Sequence, residues 1–106
     1  MAAKEQQVKI LVYWDDDEGA PTAATTVVNR KKGKAKLEWV PDDTIGDITG
    51  ITGLDPDEFT NVRKVGKKWK GKDECSKVGH FSYVIEGTKA DGIHGGADPT
   101  IRNEDE

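Results

Sequence analysis

The single cysteine and the two histidines are the residues of this chain best suited to metal or redox chemistry. Four residues separate Cys75 from His80, and His94 lies farther on in a glycine-rich stretch, residues 92–96. Thiolate and imidazole are preferred ligands of zinc and copper. A structural zinc site takes four ligands, typically in closely spaced pairs, whereas this set offers three. We therefore expect solvent-facing histidines and no metal cofactor, and we keep a metal site formed by Cys75, His80 and His94 as an alternative.

A catalytic role for Cys75 is disfavoured by its neighbours in the sequence. A nucleophilic cysteine needs a lowered pKa and an oriented base, and the negative charges of Asp73 and Glu74 would raise the pKa of the thiol. The other residues offer no acid, base and nucleophile at a recognised spacing. We expect a protein that is not an enzyme. An enzyme of the carboxylate type would need two aspartates about 5–9 Å apart in a cleft.

The basic segment RKVGKKWKGK, residues 63–72, places Trp69 among cations, a composition typical of grooves that bind single-stranded nucleic acid. The candidate interaction surface consists of Arg63, Lys67, Lys68, Trp69 and Lys70. The other interpretation is a charged edge hairpin, because lysines on edge strands discourage aggregation, with Trp69 packed in the core. A net charge of −4 argues against a dedicated nucleic-acid binder. We favour the hairpin and keep weak single-strand binding as an alternative.

The acidic run at residues 15–18, alone or with Asp55, Asp57 and Glu58, could offer oxygen ligands to calcium. The run lacks the spacing of an EF-hand loop, and its glycine falls at the wrong position. We therefore favour solvated turns over a calcium site.

Length and composition set the class of protein. A chain of 106 residues is expected to form one domain, and one cysteine cannot form an internal disulfide. Residues 1–10 contain no apolar signal region, and no run approaches the roughly 18 apolar residues of a membrane span. We expect a cytoplasmic protein with no membrane partner, which binds a protein or a small ligand. An unpaired edge strand would allow a homodimer.

Alternation of apolar and polar residues predicts the elements that hold these side chains. Residues 7–14 have apolar side chains on both faces, which predicts a strand covered on both sides. The clearest alternation places Ala35, Leu37 and Trp39 on one face, and a second places Phe81, Tyr83 and Ile85 together. The other expected elements are strands at residues 25–28 and 67–70, a short irregular strand at residues 45–51, and a single helical turn at residues 55–59. The glycine-rich stretch at residues 92–96 is expected to be a loop, followed by a last edge strand at residues 99–102.

No segment holds a helical apolar stripe for three turns. About seven short strands separated by turn residues predict an all-β fold, a single antiparallel sandwich of the immunoglobulin or cupredoxin type. We expect one domain over residues 1–106, with frayed ends at residues 1–6 and 103–106.

Two resemblances bear on the fold. GHFSY, residues 79–83, resembles the Gly-x-Tyr-x-Tyr strand of cupredoxins, and KAKLEWV, residues 34–40, resembles an earlier strand of that family. In a cupredoxin the copper cysteine would lie near Ile85 and the first copper histidine within residues 47–49. None of those positions holds a copper ligand, and the one methionine is Met1. The resemblance implies a sandwich without copper.

The second resemblance covers more of the chain. GITGL at residues 50–54, GHFSYVI at residues 79–85 and DPTIRN at residues 98–103 resemble the DP-EP family of small bacterial proteins. That resemblance implies an immunoglobulin- or cupredoxin-like sandwich, and it implies no activity. From the residues themselves, we expect a binding or interaction module.

Overall fold

The first alternating segment forms the longest strand of the protein. The computed structural model describes residues 5–105, in which β1 (Gln6–Asp15) pairs in parallel with β4 (Ala35–Pro41). The far end of β1 pairs antiparallel with β2 (Ala20–Thr22). A hairpin of β6 (Phe59–Val65) and β7 (Lys68–Asp73) extends the sheet from β4. The result is a five-stranded sheet in the order β2-β1-β4-β7-β6.

Two three-stranded sheets complete the fold. The first contains β5 (Ile45–Thr52), β9 (Val84–Lys89) and β10 (His94–Ala97), in the order β10-β9-β5. The second contains β3 (Thr26–Asn29), β8 (Gly79–Ser82) and β11 (Thr100–Glu104), in the order β3-β11-β8. Strands β3 and β11 run parallel, and a 3-10 turn at Arg30–Lys32 follows β3.

The inward side chains of all three sheets meet in one apolar core. Trp39 of β4 and Tyr83 lie near its centre, with 0% and 2% of their surfaces exposed. The indole Nε1 of Trp39 donates a hydrogen bond of 3.0 Å to the Tyr83 hydroxyl. Buried tryptophan and tyrosine each need a polar partner, and this pair supplies both. The predicted burial of Ala35, Leu37 and Trp39 is confirmed.

Strand β5 buries every third residue. Its buried residues Ile45, Ile48 and Ile51 are three apart, whereas a regular strand would bury every second residue. The pairing with β9 slips by one residue between Ile45 and Asp47, and again between Ile48 and Gly50. Each β-bulge inserts one unpaired residue, so all three isoleucines reach the core. The irregular strand predicted at residues 45–51 is therefore confirmed.

The strand predicted from the alternation of Phe81, Tyr83 and Ile85 changes sheets part-way. Its first part is β8, which pairs with β11, and its second part is β9, which pairs with β5 and β10. Tyr83 lies at the junction, where its backbone N–H donates to the carbonyl oxygen of Pro99 at 3.0 Å. The alternation of buried and more exposed side chains continues through the junction, since Tyr83 and Ile85 are buried.

The all-β class is confirmed, but a single antiparallel sandwich of seven strands is wrong. Residues 5–105 form eleven strands, and two of the pairings are parallel. Alternation gives the faces of a strand but not its direction or its partners, so it could not distinguish these arrangements. Strand β11, predicted as an edge strand at residues 99–102, lies between β3 and β8. The strands β2, β6 and β10 were not predicted.

The chain ends are more ordered than predicted within the described residues. Asn103 has 1% of its surface exposed and lies in β11, because its side chain bonds to buried carboxylates. Gln6 lies in β1, and its Nε2 donates to the carbonyl oxygens of Asn29 and Gly33 at 2.7 and 2.8 Å. The fraying predicted for residues 1–4 and 106 lies outside the described residues.

Across residues 5–105, no helix has both the length and the apolar character that crossing a membrane would require.

Candidate functional site

The outer face of the five-stranded sheet carries a concentration of positive charge. Alternate residues of a strand point to opposite faces, so the registers of β1, β4, β7 and β6 identify the side chains that point away from the core. Glu38 lies near the middle of this outer face, and Asp15 is the last residue of β1. Six cations share the outer face, which we call the basic face: Lys9, Lys36, Arg63, Lys68, Lys70 and Lys72.

Like charges lie directly opposite each other on the basic face. Lys36 of β4 is the register partner of Lys72 of β7, and Lys70 of β7 is the register partner of Arg63 of β6. Like charges opposite each other in an antiparallel pair destabilise the sheet. The chain as a whole has a net charge of −4. The basic face therefore carries positive charge although the chain as a whole is negative. Its like-charged pairs also lower the stability of the sheet.

A bulge in β6 forms a concavity between these cations. Thr60 pairs with Lys72 and Arg63 pairs with Lys70, so Asn61 and Val62 together lie opposite Gly71. Asn61 has a positive φ of 56°, and its carbonyl oxygen accepts a hydrogen bond of 2.8 Å from Arg63 Nη1. The concavity has a volume of about 320 Å³. Its lining consists of Glu5, Lys36, Leu37, Asn61, Arg63, Lys70, Gly71 and Lys72.

Nearby carboxylates neutralise these cations weakly. Glu38 lies 3.8 Å from Lys68 Nζ and 3.9 Å from Lys70 Nζ, and Glu5 lies 3.9 Å from Lys72 Nζ. These distances are near the upper limit of an ion pair, and exposed ion pairs contribute at most about 1 kcal/mol. The basic face is therefore available to an external anion.

The predicted interaction residues separate onto different sides of the hairpin. Arg63, Lys68 and Lys70 belong to the basic face, and Lys67 lies in the turn between β6 and β7. Trp69 points to the opposite side, where it packs against the core and its Nε1 donates to the Ile48 carbonyl oxygen at 2.9 Å. The structure thus places the hairpin at the sheet edge, as favoured, and turns the aromatic ring away from the cations.

Sequence reasoning missed Lys9, Lys36 and Lys72 as members of the basic face. The outward direction of Lys36 was predicted, since Ala35 and Leu37 face the core. What brings Lys36 beside Lys72 is the β4–β7 pairing, which joins residues far apart in sequence. Alternation within each strand was the available signal, but it does not identify the partner strand.

Cys75, His80 and His94 lie in three different places. His80 is exposed on β8 opposite Arg102, and His94 is exposed at the start of β10 opposite Thr88. Cys75 is half-buried, and burial together with the negative charge of Asp73 raises the pKa of its thiol to about 12. No group of three or more His, Cys, Asp and Glu side chains within residues 5–105 is arranged to hold a metal ion.

A buried polar cluster links three separate parts of the chain. Asn103 Nδ2 donates to Glu58 Oε2 at 3.1 Å and to Asp73 Oδ1 at 3.0 Å. Glu58 also accepts hydrogen bonds from the backbone N–H groups of Ser76 and Lys77, at 3.2 and 2.8 Å. Both carboxylates have 0% of their surface exposed. A substrate cannot reach this pair, so its geometry is that of a structural cluster.

Burial raises the pKa of Asp73, although hydrogen bonds from the Cys75 N–H and from Asn103 oppose that effect. Asp73 Oδ1 accepts the Cys75 N–H at 2.9 Å, while Asp73 Oδ2 is buried and has no hydrogen-bond partner in the part of the chain that the structure describes. Nothing in the sequence identified this cluster, because its members lie 15 to 45 residues apart.

The acidic runs form turns. Asp15 Oδ1 accepts the backbone N–H of Asp17 at 2.9 Å, and Asp16 pairs with Lys89 at 3.2 Å. Asp55 Oδ1 accepts the Asp57 N–H at 2.9 Å, and the Phe59 N–H donates to the Asp55 carbonyl oxygen at 2.8 Å. The single turn predicted at residues 55–59 is thus present.

Comparison of the chain with protein-family models gives no match, and comparison with curated proteins gives no significant similarity.

Proposed function

We propose that the protein is a non-enzymatic binding module that holds a multivalent anion on its basic face. One observation supports this proposal above the others: the like-charged partners Lys36–Lys72 and Arg63–Lys70 surround a single concavity. Without an anion, both pairings cost stability. An anion placed between them turns the same arrangement into an attraction.

The chemistry of the lining supports an oxyanion ligand. Three lysines and one arginine supply point charges and hydrogen-bond donors suited to phosphate and carboxylate oxygens. No aromatic side chain within residues 5–105 lines the concavity, and the indole N–H of Trp69 donates to the Ile48 carbonyl oxygen. Recognition would therefore depend on anionic groups and not on stacking with bases.

Titration calorimetry with inorganic tripolyphosphate at low ionic strength tests the proposal. We expect binding that weakens as salt is added, because exposed charges are screened. Lys36→Gln removes one cation without breaking any ion pair that the described residues form. One contact at about 4 Å in water is worth about 1 kcal/mol, so the affinity should fall about fivefold.

Lys31→Gln is the matched control, because it makes the same charge change in the exposed 3-10 turn, outside the basic face. The control should bind as wild type does. Equal losses in the two variants, or no binding at low salt, would contradict the proposal. A short single-stranded oligonucleotide serves as a second ligand: binding in proportion to its phosphates alone agrees with the proposal, and base-dependent binding opposes it.

A further inference from the structure

One edge of β1 has backbone groups without a strand partner. The Gln6 N–H donates to the Lys34 carbonyl oxygen at 2.9 Å, and the Val12 carbonyl oxygen accepts the Asp42 N–H at 2.9 Å. Backbone direction alternates along a strand, so even-numbered residues of β1 point to β4. The odd-numbered residues Gln7, Lys9 and Leu11 then point to the other edge.

Strand β2 covers that other edge only in part. Its register with β1 involves Tyr13, Trp14 and Asp15, and no strand within residues 5–105 pairs with the same edge from Gln7 to Leu11. After β2 the chain diverges from β1, because β3 pairs with β11 in a different sheet. An open row of N–H and C=O groups is a template for another extended chain.

An apolar groove of about 390 Å³ lies along this open edge. Val8, Ile10 and Leu11 of β1 form one side, and residues 24–27 form the other. Two large apolar side chains in the groove are exposed, Leu11 to 57% and Val27 to 50%. The strand predicted to be covered on both sides therefore has an uncovered face and an uncovered edge at the same place.

We propose that an extended peptide segment adds to β1 at this edge, next to Gln7, Lys9 and Leu11, with apolar side chains in the groove and an acidic side chain beside Lys9. Charge complementarity selects the acidic residue, since Lys9 is the one charged side chain of the groove lining among the described residues. The same positive charge disfavours a second copy of the chain, which would bring a second Lys9 to this edge. The lining of the groove and the lining of the concavity share no residue, and Lys9 is a member of the basic face that does not line the concavity, so the two proposals can be tested separately.

Amide hydrogen exchange, followed residue by residue, tests the proposal with an internal control. In the free protein, the N–H groups of Lys9 and Leu11 should exchange fast, and those of Val8 and Ile10, which point to β4, should exchange slowly. The probe is a capped synthetic peptide of about nine residues that alternates valine with threonine and carries one glutamate. At saturation it should slow the exchange of Lys9 and Leu11 about tenfold or more. A peptide with lysine in place of glutamate should protect them less.

Two substitutions of Lys9 distinguish the contribution of its backbone N–H group from that of its side-chain charge. Lys9→Pro removes both the charge and the open N–H group, and proline is tolerated where a strand N–H faces solvent. Lys9→Thr removes the charge and keeps the N–H group. The threonine variant should bind the peptide more weakly than wild type, and the proline variant should not bind it. If the proline variant does not fold, the exchange pattern of the wild-type protein remains decisive.

Three results would overturn the proposal. Slow exchange of Lys9 and Leu11 in the dilute free protein would mean that the edge is already covered. Protection that depends on protein concentration and accompanies a dimer would assign the edge to a second copy. Peptide binding without protection of these two amides would place the ligand elsewhere. Lys36→Gln should leave peptide binding intact, so failure of this proposal and failure of anion binding are distinguishable.

Discussion

Replacement of Asp73 by asparagine should not destabilise the protein at neutral pH, although Asp73 is completely buried and hydrogen-bonded. Burial raises the pKa of this carboxyl, so folding favours its neutral form over its ionised form. Asparagine has the shape of that neutral form. Its Oδ1 can accept from the Cys75 N–H and from Asn103. Its Nδ2 takes the place of Oδ2 and, like the proton of the neutral acid, is a donor that needs an acceptor; Asn103 Oδ1, in the same cluster, is buried with no hydrogen-bond partner among the described residues.

Replacement of Asp73 by alanine should greatly lower the free energy of unfolding. Asp73→Ala leaves two buried donors, the Cys75 N–H and Asn103 Nδ2, without their acceptor. Each unpaired buried donor costs about 1–3 kcal/mol, so the two together should lower the free energy of unfolding by about 2–6 kcal/mol. For Asp73→Asn the free energy of unfolding at pH 7 should equal that of wild type or exceed it by up to about 2 kcal/mol.

Urea unfolding of the wild type and both variants between pH 3 and pH 8 tests the sign and the size of the predicted changes in the free energy of unfolding. A carboxyl whose pKa is raised by folding binds more protons in the folded state, so its contribution to stability falls as pH rises through that pKa. The advantage of Asp73→Asn over wild type should thus be largest at neutral pH and should disappear in acid. An asparagine variant that is clearly less stable at pH 7, with a deficit that shrinks as the pH is lowered, would refute the reasoning.

Three further outcomes follow from single contacts. Tyr83→Phe removes the acceptor of the buried Trp39 indole and should lower the free energy of unfolding by about 1–3 kcal/mol in urea titrations; Tyr13→Phe, on the outer face, should have little effect. Cys75 is half-buried, and the pKa of its thiol is about 12. Its reaction with iodoacetamide at pH 8 should therefore be about tenfold or more slower in the folded protein than in denaturant. Equal rates in the two conditions would contradict the burial of Cys75. Gly95→Ala would place a Cβ against the Gly19 carbonyl oxygen and 3.1 Å from Ala20 Cα, which should cost about 1–3 kcal/mol. Gly96→Ala, whose Cβ would come no closer than 3.5 Å to Glu86 Cγ, should be tolerated; a similar loss in both variants would oppose the packing described for β10.

The sequence predicted those parts of the fold that depend on local alternation. Ala35, Leu37 and Trp39 face the core as expected, because a two-residue period on one strand is a local property. The parallel pairing of β1 with β4 could not be obtained in this way, since it joins two segments with β2 and β3 between them in the chain. The glycine-rich strand β10 carries no apolar run, and its predicted form was a loop.

The candidate site could likewise be predicted from the sequence only in part. Its charges were visible in the sequence as lysines at alternate positions, but the pairing of Lys36 with Lys72 depends on how distant strands meet. The aromatic residue that suggested nucleic-acid binding, Trp69, faces the other way, because the register places it beside Trp39 of β4. The sequence predicts a frayed tail at Asn103, because the partners that order it, Glu58 and Asp73, are distant in sequence.

The most direct test of anion binding by the basic face is a titration of the protein with tripolyphosphate, followed by the chemical shifts of the backbone amides. We expect the largest shift changes at Gly71 and at the flanking residues of β4 and β6, and we expect added salt to reverse them. Changes spread evenly over the surface, or centred on another sheet, would contradict the assignment of the site, and the absence of changes at low salt would contradict the proposed function.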